Sequence, residues 1–197
     1  MSAGTWKGID YMRSKSNRRN FVPSQKQLEQ QAKFALVMRF LQPLAVLLKI
    51  NFNDFAVMKT GMNSAFAYNL ENAITGTYPN FTIAYANVVV GRGDLPNVLG
   101  PAVTSGRSSI VTFSWTGNSG VANAQATDEA LFVAYCPDLK QSIFAGAVRS
   151  ALTGDPNLVS FAGKVVETYI TFVSNDLYKS VGSRLHFYIQ TPTEPQL

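Results

Sequence analysis

Two periods divide the chain. From Ser24 apolar positions fall on a helical repeat: Phe34, Val37, Leu41, Leu44 and Leu48 recur at steps of three and four, and Leu36, Phe40 and Leu47 widen the stripe. Ser24 and Gln27 form an S-x-x-Q capping box that predicts the helix start, and Pro43 predicts a kink or split because it removes a backbone donor. A second helix is predicted over 64–73, where Ala65, Phe66, Leu70 and Ala73 share a face and Gly76 follows as a stop. From Tyr78 the repeat shortens to two and the residues become β-branched and aromatic. FTIAYANVVV, SSIVTFSW, EALFVAYC, KQSIFAGAV, NLVSFAG, VVETYITFV and SRLHFYIQ read as strands, separated by the turn-rich GRGDLPN, TGNSG, PDLK, TGDPN and SNDLYKSVGS.

About seven short strands without a cysteine pair predict an immunoglobulin- or fibronectin-like antiparallel β-sandwich, with Trp115 and Tyr169 as inter-sheet core residues. The fold class expected is α+β: an extended basic arm over 1–23, a helical segment over 24–76 and a sandwich over 77–197. The arm has no sustained period and is rich in Gly, Ser, Asn, Lys and Arg, yet it holds Trp6, Tyr11 and Phe21. Aromatic rings gain most from burial, so the arm is expected to dock on its own chain or a neighbour.

Charge sharpens this division. Residues 1–40 carry eight basic and two acidic side chains, net +6, while the remainder is net −1. An anionic partner would therefore meet the arm, through Arg13, Lys15, Arg18 and Arg19, with Trp6 and Tyr11 as stacking faces. Charged residues are only 15% of the chain, so much of the surface is neutral or covered by partners.

Read together, TWKGIDYMRSK, SQKQLEQQAKF, FLQPLAVLLKI, AYNLENAITGTYPNFTIAY, VTFSWTGNSGVANAQATDEALFVAY and ETYITFVSND resemble a family of signal-less Bacteroidota proteins described as a domain of unknown function. WKG, YNL-x-NA-x-TGTYP and W-x-x-NSG…NA-x-ATD are the most specific pieces, and the resemblance covers nearly the whole chain. In place of the Asn-Pro that the family tends to carry before the helix cap, this chain reads Phe21 and Val22. The resemblance implies a fold and supplies no catalytic residues.

No catalytic, cofactor or metal site is predicted, and no small-molecule substrate. The single Cys136 and single His186 cannot make a disulfide or a His/Cys metal cluster and are expected to pack in strands. No G-x-S-x-G elbow accompanies His186, no P-loop or dinucleotide fingerprint occurs, and the adjacent Asp128 and Glu129 must face opposite sides of a strand. GRGDLP reads as a turn, with Gly91 and Gly93 giving backbone freedom and Arg92 and Asp94 solvated. The start lacks the apolar core of a secretory signal, which predicts cytoplasmic synthesis. FALVMRFLQPLAVLLKI, interrupted by Arg39, Gln42 and Pro43, reads as too short to span a membrane.

The function expected is a non-enzymatic structural subunit of a multi-copy assembly, of phage or prophage type and residing in a virion or similar particle, its partners being copies of itself or other subunits of the same particle. Trp6, Tyr11, Phe34, Leu41 and Leu48 are its predicted assembly anchors. A nucleic-acid-binding module using the basic arm is the first alternative, and an adhesive surface filament is the second.

Overall fold

The structure, a computed structural model, describes residues 2–6, 8–14, 22–52, 59–105, 110–174 and 186–190. Lys15, Arg18, Arg19 and Phe21 lie outside them, as do the side chains of Trp6 and His186. At the N-terminus, β1 (Ser2–Trp6) and β2 (Ile9–Arg13) pair antiparallel from Ser2↔Arg13 to Trp6↔Ile9, so residues 2–13 are a hairpin and not the expected single extended arm. Only two residues separate the strands, and Gly8 (φ +79°) takes the left-handed conformation that so short a turn requires.

Helix α1 (Gln25–Leu41) opens at Ser24, whose backbone N–H donates to Gln27 Oε1 at 2.8 Å. Pro43 sits in a single 3₁₀ turn, Gln42–Leu44, after which α2 (Ala45–Asn51) resumes. With the proline absorbed in this way, Gln25–Asn51 runs for 27 residues, long and apolar enough by length and composition to cross a membrane. This corrects the expectation that the segment is too short; the core helix of a globular fold meets the same criterion. Here Val37, Phe40, Leu41, Leu44 and Leu48 are buried in the chain's own core. Helix α3 (Gly61–Asn72) begins before the predicted Ser64, because Thr60 is the cap: its Oγ1 accepts the Asn63 N–H at 3.2 Å.

After α3, β3 (Ile74–Thr75) and β4 (Thr82–Ile83) make a small hairpin. FTIAYANVVV is therefore not a sandwich strand. Beyond Ile83 it forms a 3₁₀ turn at Tyr85–Asn87 and a buried extended segment, Val88–Val90. Asn69 holds that segment from the middle of α3: Nδ2 donates to Val89 O at 3.0 Å, and Val89 N–H donates to Oδ1 at 3.0 Å. These bonds replace the ladder partners a strand would have had.

Among the described residues, seven strands make the sandwich: β5 (Leu99–Ser105), β6 (Val111–Thr116), β7 (Glu129–Cys136), β8 (Gln141–Val148), β9 (Thr153–Gly154), β10 (Val165–Val173) and β11 (His186–Gln190). One sheet has the order β5-β6-β9 and the other β11-β10-β7-β8, all pairs antiparallel, the arrangement of an immunoglobulin- or fibronectin-like sandwich. The number of strands matches the reading of the sequence, but two identities do not. NLVSFAG is an isolated bridge at Asn157 followed by a 3₁₀ turn, Val159–Phe161; Leu158 and Phe161 enter the core at a spacing of three, not two. The first strand is instead β5, concealed by Gly100, Pro101 and a register shift between Leu99 and Ala102.

The sheets enclose one core, in which Phe113 stacks on Phe132 at 4.8 Å between ring centroids and Trp115 leans on Phe132 and Phe172. The helices and Val88–Val90 cover the outer face of the four-stranded sheet and form a second core with Leu131, Val133, Tyr135 and Tyr169. Tyr169 thus faces the helices and not the opposite sheet, which corrects its expected position. Because β7 and β10 are buried on both faces, each reads as a nearly continuous apolar run.

Candidate functional site

The most concentrated polar chemistry lies in the interior. Asp128 turns inward at the start of β7 while its neighbour Glu129 is exposed, as alternation along a strand requires. Asp128 Oδ2 stands 3.1 Å from Arg149 Nε and accepts the Gln125 N–H at 2.9 Å. Arg149 has no exposed surface: Nη1 donates to Asn118 Oδ1 at 2.8 Å and the guanidinium lies 3.8 Å from the Phe172 ring centroid. Trp115 Nε1 donates to the Arg149 carbonyl at 3.0 Å. Burial pushes the Arg149 pKa down and Asp128 pushes it back up. A closed ion pair of this kind offers nothing to a substrate; it fastens the 118–128 loop to the end of the sandwich.

A second polar group lies between helices and sheet. The Tyr169 hydroxyl donates to the Tyr85 carbonyl at 3.3 Å, and Phe40 meets Tyr135 edge-on at 4.9 Å. Burial, then Tyr135, Glu167 and Cys136, raise the Tyr85 pKa to about 12. Burial followed by Glu167 holds Tyr169 well above the ordinary value, and burial followed by Cys136 raises Tyr135. These hydroxyls stay protonated in neutral solution, and that of Tyr169 serves as a hydrogen-bonding core group. Among the described residues, no three His, Cys, Asp or Glu side chains gather as a metal site.

GRGDLP is less a solvated turn than a strap between the two cores. Arg92 N–H donates to Asn51 O at 2.9 Å, capping the end of α2, and Leu95 is buried in the sandwich. Neither Gly91 nor Gly93 has a positive φ, and Arg92 lies over the Tyr68 ring at 5.6 Å. The expected glycine-enabled backbone freedom is therefore corrected, whereas Arg92 and Asp94 are exposed as expected.

What remains is surface, and here the predicted anchors separate. Leu41 and Leu48 are wholly buried within their own chain, so they are unavailable to a neighbour in this fold. Phe34 is half exposed, with its ring 4.5 Å from Phe66. Tyr11 is 49% exposed on β2, with Ile9 on the same face and Met12, 76% exposed, on the other. The backbone of Trp6 pairs with Ile9 beside the turn, and Arg13 is exposed at the end of the hairpin.

The sequence reading missed a second surface. β8 occupies the edge of its sheet, and its helix-side face bears Phe144 (41% exposed) and Val148 (52%) beyond the helices' cover. KQSIFAGAV reads as a strand, but nothing local distinguishes an edge strand from a central one.

The model of the Family of unknown function (DUF6266) matches residues 1–186. No curated protein matches. Among solved structures, the chain is similar to the FN1-FN3 domains of chicken CNTN1 (10% identity, TM-score 0.41, 51% of this chain and 33% of that one). It is also similar to an FN3 domain of human collagen XX (15%, 0.40, 50% and 94%) and to the FN5 domain of Drosophila Lar (10%, 0.37, 49% and 95%). The chain thus spans about a third of the CNTN1 structure it matches.

Proposed function

The chain belongs to the Family of unknown function (DUF6266), and for it we propose a non-enzymatic structural role: a subunit that associates with copies of itself through its N-terminal hairpin. One observation carries this reading. β1–β2 forms a two-stranded sheet of its own, with Ile9, Tyr11 and Met12 exposed. An isolated two-stranded hairpin is marginal in water, and exposed apolar rings add to its cost unless a partner covers them. The sandwich supplies the body, the helices cover one face of it, and the hairpin presents exposed apolar side chains for contacts.

Sedimentation of the full chain at micromolar concentration tests the proposal. The parent should form multimers, and Ile9→Asp with Tyr11→Asp should reduce them to monomers with an unchanged circular dichroism spectrum. A monomeric parent would refute it. The basic residues Arg13, Lys15, Arg18 and Arg19 support the rival reading, retention on nucleic acid, whose signature is an affinity that falls steeply with salt. Replacing Lys15, Arg18 and Arg19 by Gln, with Arg13 of the hairpin kept, should leave sedimentation of the nuclease-treated protein unchanged; loss of assembly would favour the electrostatic reading.

A further inference from the structure

We propose that the receiving surface for the hairpin is the free edge of β8 on a second copy, with β1 adding to it antiparallel; this rests on the reading of the hairpin as the associating element. Natural sheets blunt their edges with Pro, Lys, bulges or very short strands. β5, at the edge of the other sheet, is blunted in this manner by Pro101 and its register shift. β8 is not. It runs for eight residues, Gln141–Val148, without a charge, a proline or an irregularity in its pairing to β7, and no strand among the described residues pairs with its outer side.

Charge and side-chain size choose the occupant and its direction. The end of the hairpin that leads into the chain is basic: exposed Arg13 pairs with Ser2. At the Val148 end of β8, the exposed Glu129 lies opposite Val148 on β7. Antiparallel addition of β1 with Ser2 opposite Val148 brings these charges to the same end. It also sets Gly4 opposite Gly146, which places the Ile9 and Tyr11 face of the hairpin on the side of β8 that bears Phe144.

The two glycines explain the fit. A methyl group at Gly4 would stand 3.0 Å from Tyr11 Oη, so Tyr11 leans across Gly4 toward the outer edge of β1. A methyl group at Gly146 would stand 2.6 Å from Glu129 Oε1, so Glu129 leans across Gly146 toward the outer edge of β8. Joined in this register, the Tyr11 hydroxyl donates to the Glu129 carboxylate across the glycine pair. Because the hairpin and the β8 edge are different parts of the chain, their pairing is a heterologous, head-to-tail contact, which propagates into chains or closes into rings.

Complementation between two full-length variants tests the assignment. A donor chain, Phe144→Glu with Val148→Lys, keeps its hairpin and loses its edge; an acceptor chain, Ile9→Asp with Tyr11→Asp, keeps its edge and loses its hairpin. Each alone should sediment as a monomer, and an equimolar mixture should give one-to-one heterodimers that grow no further. Tyr11→Phe and Glu129→Gln should each weaken self-association by about tenfold or more, a change worth roughly 1.4 kcal/mol. If the donor chain assembles like the parent while the acceptor chain does not, the hairpin reading stands and β8 is the wrong surface. Two monomers that fail to pair on mixing also overturn the proposal. A monomeric parent, or an acceptor chain that assembles like the parent, brings down the hairpin reading itself. Should the edge substitutions prevent folding, Ser2→Cys with Val148→Cys in one chain decides the matter, since native Cys136 is buried. Oxidation should give a ladder of cross-linked copies, and absence of the ladder overturns the register.

Discussion

Removing one partner of the Asp128–Arg149 pair should cost far more than removing both. In Asp128→Ala the guanidinium keeps its hydrogen bond to Asn118 and its stacking on Phe172, but it remains a cation without exposed surface or counter-charge. Breaking a buried pair in this way costs about 3–5 kcal/mol, a large share of the roughly 5–15 kcal/mol by which a domain is stable. Arg149→Met leaves the mirror problem: a carboxylate 1% exposed, with the Gln125 N–H as a remaining donor. The double variant has neither charge, and methionine retains much of the stem that packs on Phe172. Its cost should fall at least about 2 kcal/mol below the sum of the single costs, within the range of coupling measured between contacting residues. Urea unfolding followed by tryptophan fluorescence is the assay, with Trp115 bonded to the Arg149 carbonyl as the local reporter. The midpoint of Asp128→Ala should drop by on the order of 1–5 M at unchanged slope, given slopes of about 1–3 kcal/mol/M. A cost under about 1 kcal/mol, or additive single variants, would refute the account of the pair as a closed, desolvated fastening.

Other elements of the fold give equally definite expectations. Asn69→Ala strips partners from both the N–H and the carbonyl of buried Val89, so stability should fall by about 2–5 kcal/mol and amide exchange at 88–90 should accelerate; unchanged exchange there would remove Asn69 as the clamp. Gly154→Ala drives a methyl group into the Phe132 ring and should cost about 1–3 kcal/mol, with Phe132→Leu recovering part of the loss; equal stability of Gly154→Ala and parent would show that the approach is not close. Tyr85 and Tyr169 have folded pKa values above the unfolded value of 10, so the folded state holds more protons in alkali. Their contribution is complete below pH 10 and is lost as the pH rises toward 12, which a set of urea midpoints with absorbance at 295 nm will track. Tyrosine ionisation with ordinary midpoints in the folded protein would contradict their burial.

Much of this architecture is written locally. The 3.6 period with its Ser24 cap determines α1, and EALFVAYC and VVETYITFV coincide with β7 and β10, because their residues are apolar enough to be strands in any setting. The basic arm and the absence of a plausible triad or cysteine cluster are also properties of sequence alone. Where the sequence misled, a nonlocal partner decided. Val88–Val90 looks like a strand because it is β-branched, but Asn69 takes its backbone bonds; β5 looks like a turn because Gly100 and Pro101 are tolerated at an edge beside β6. Leu41 and Leu48 read as assembly anchors until α3 and the outer face of the four-stranded sheet consume them. Sequence also cannot say that Asp128 meets Arg149, or that KQSIFAGAV is the strand with nothing on its far side. Periodicity records which face of an element avoids water; only the assembled layers determine what covers that face, and so which apolar residues are left for a partner.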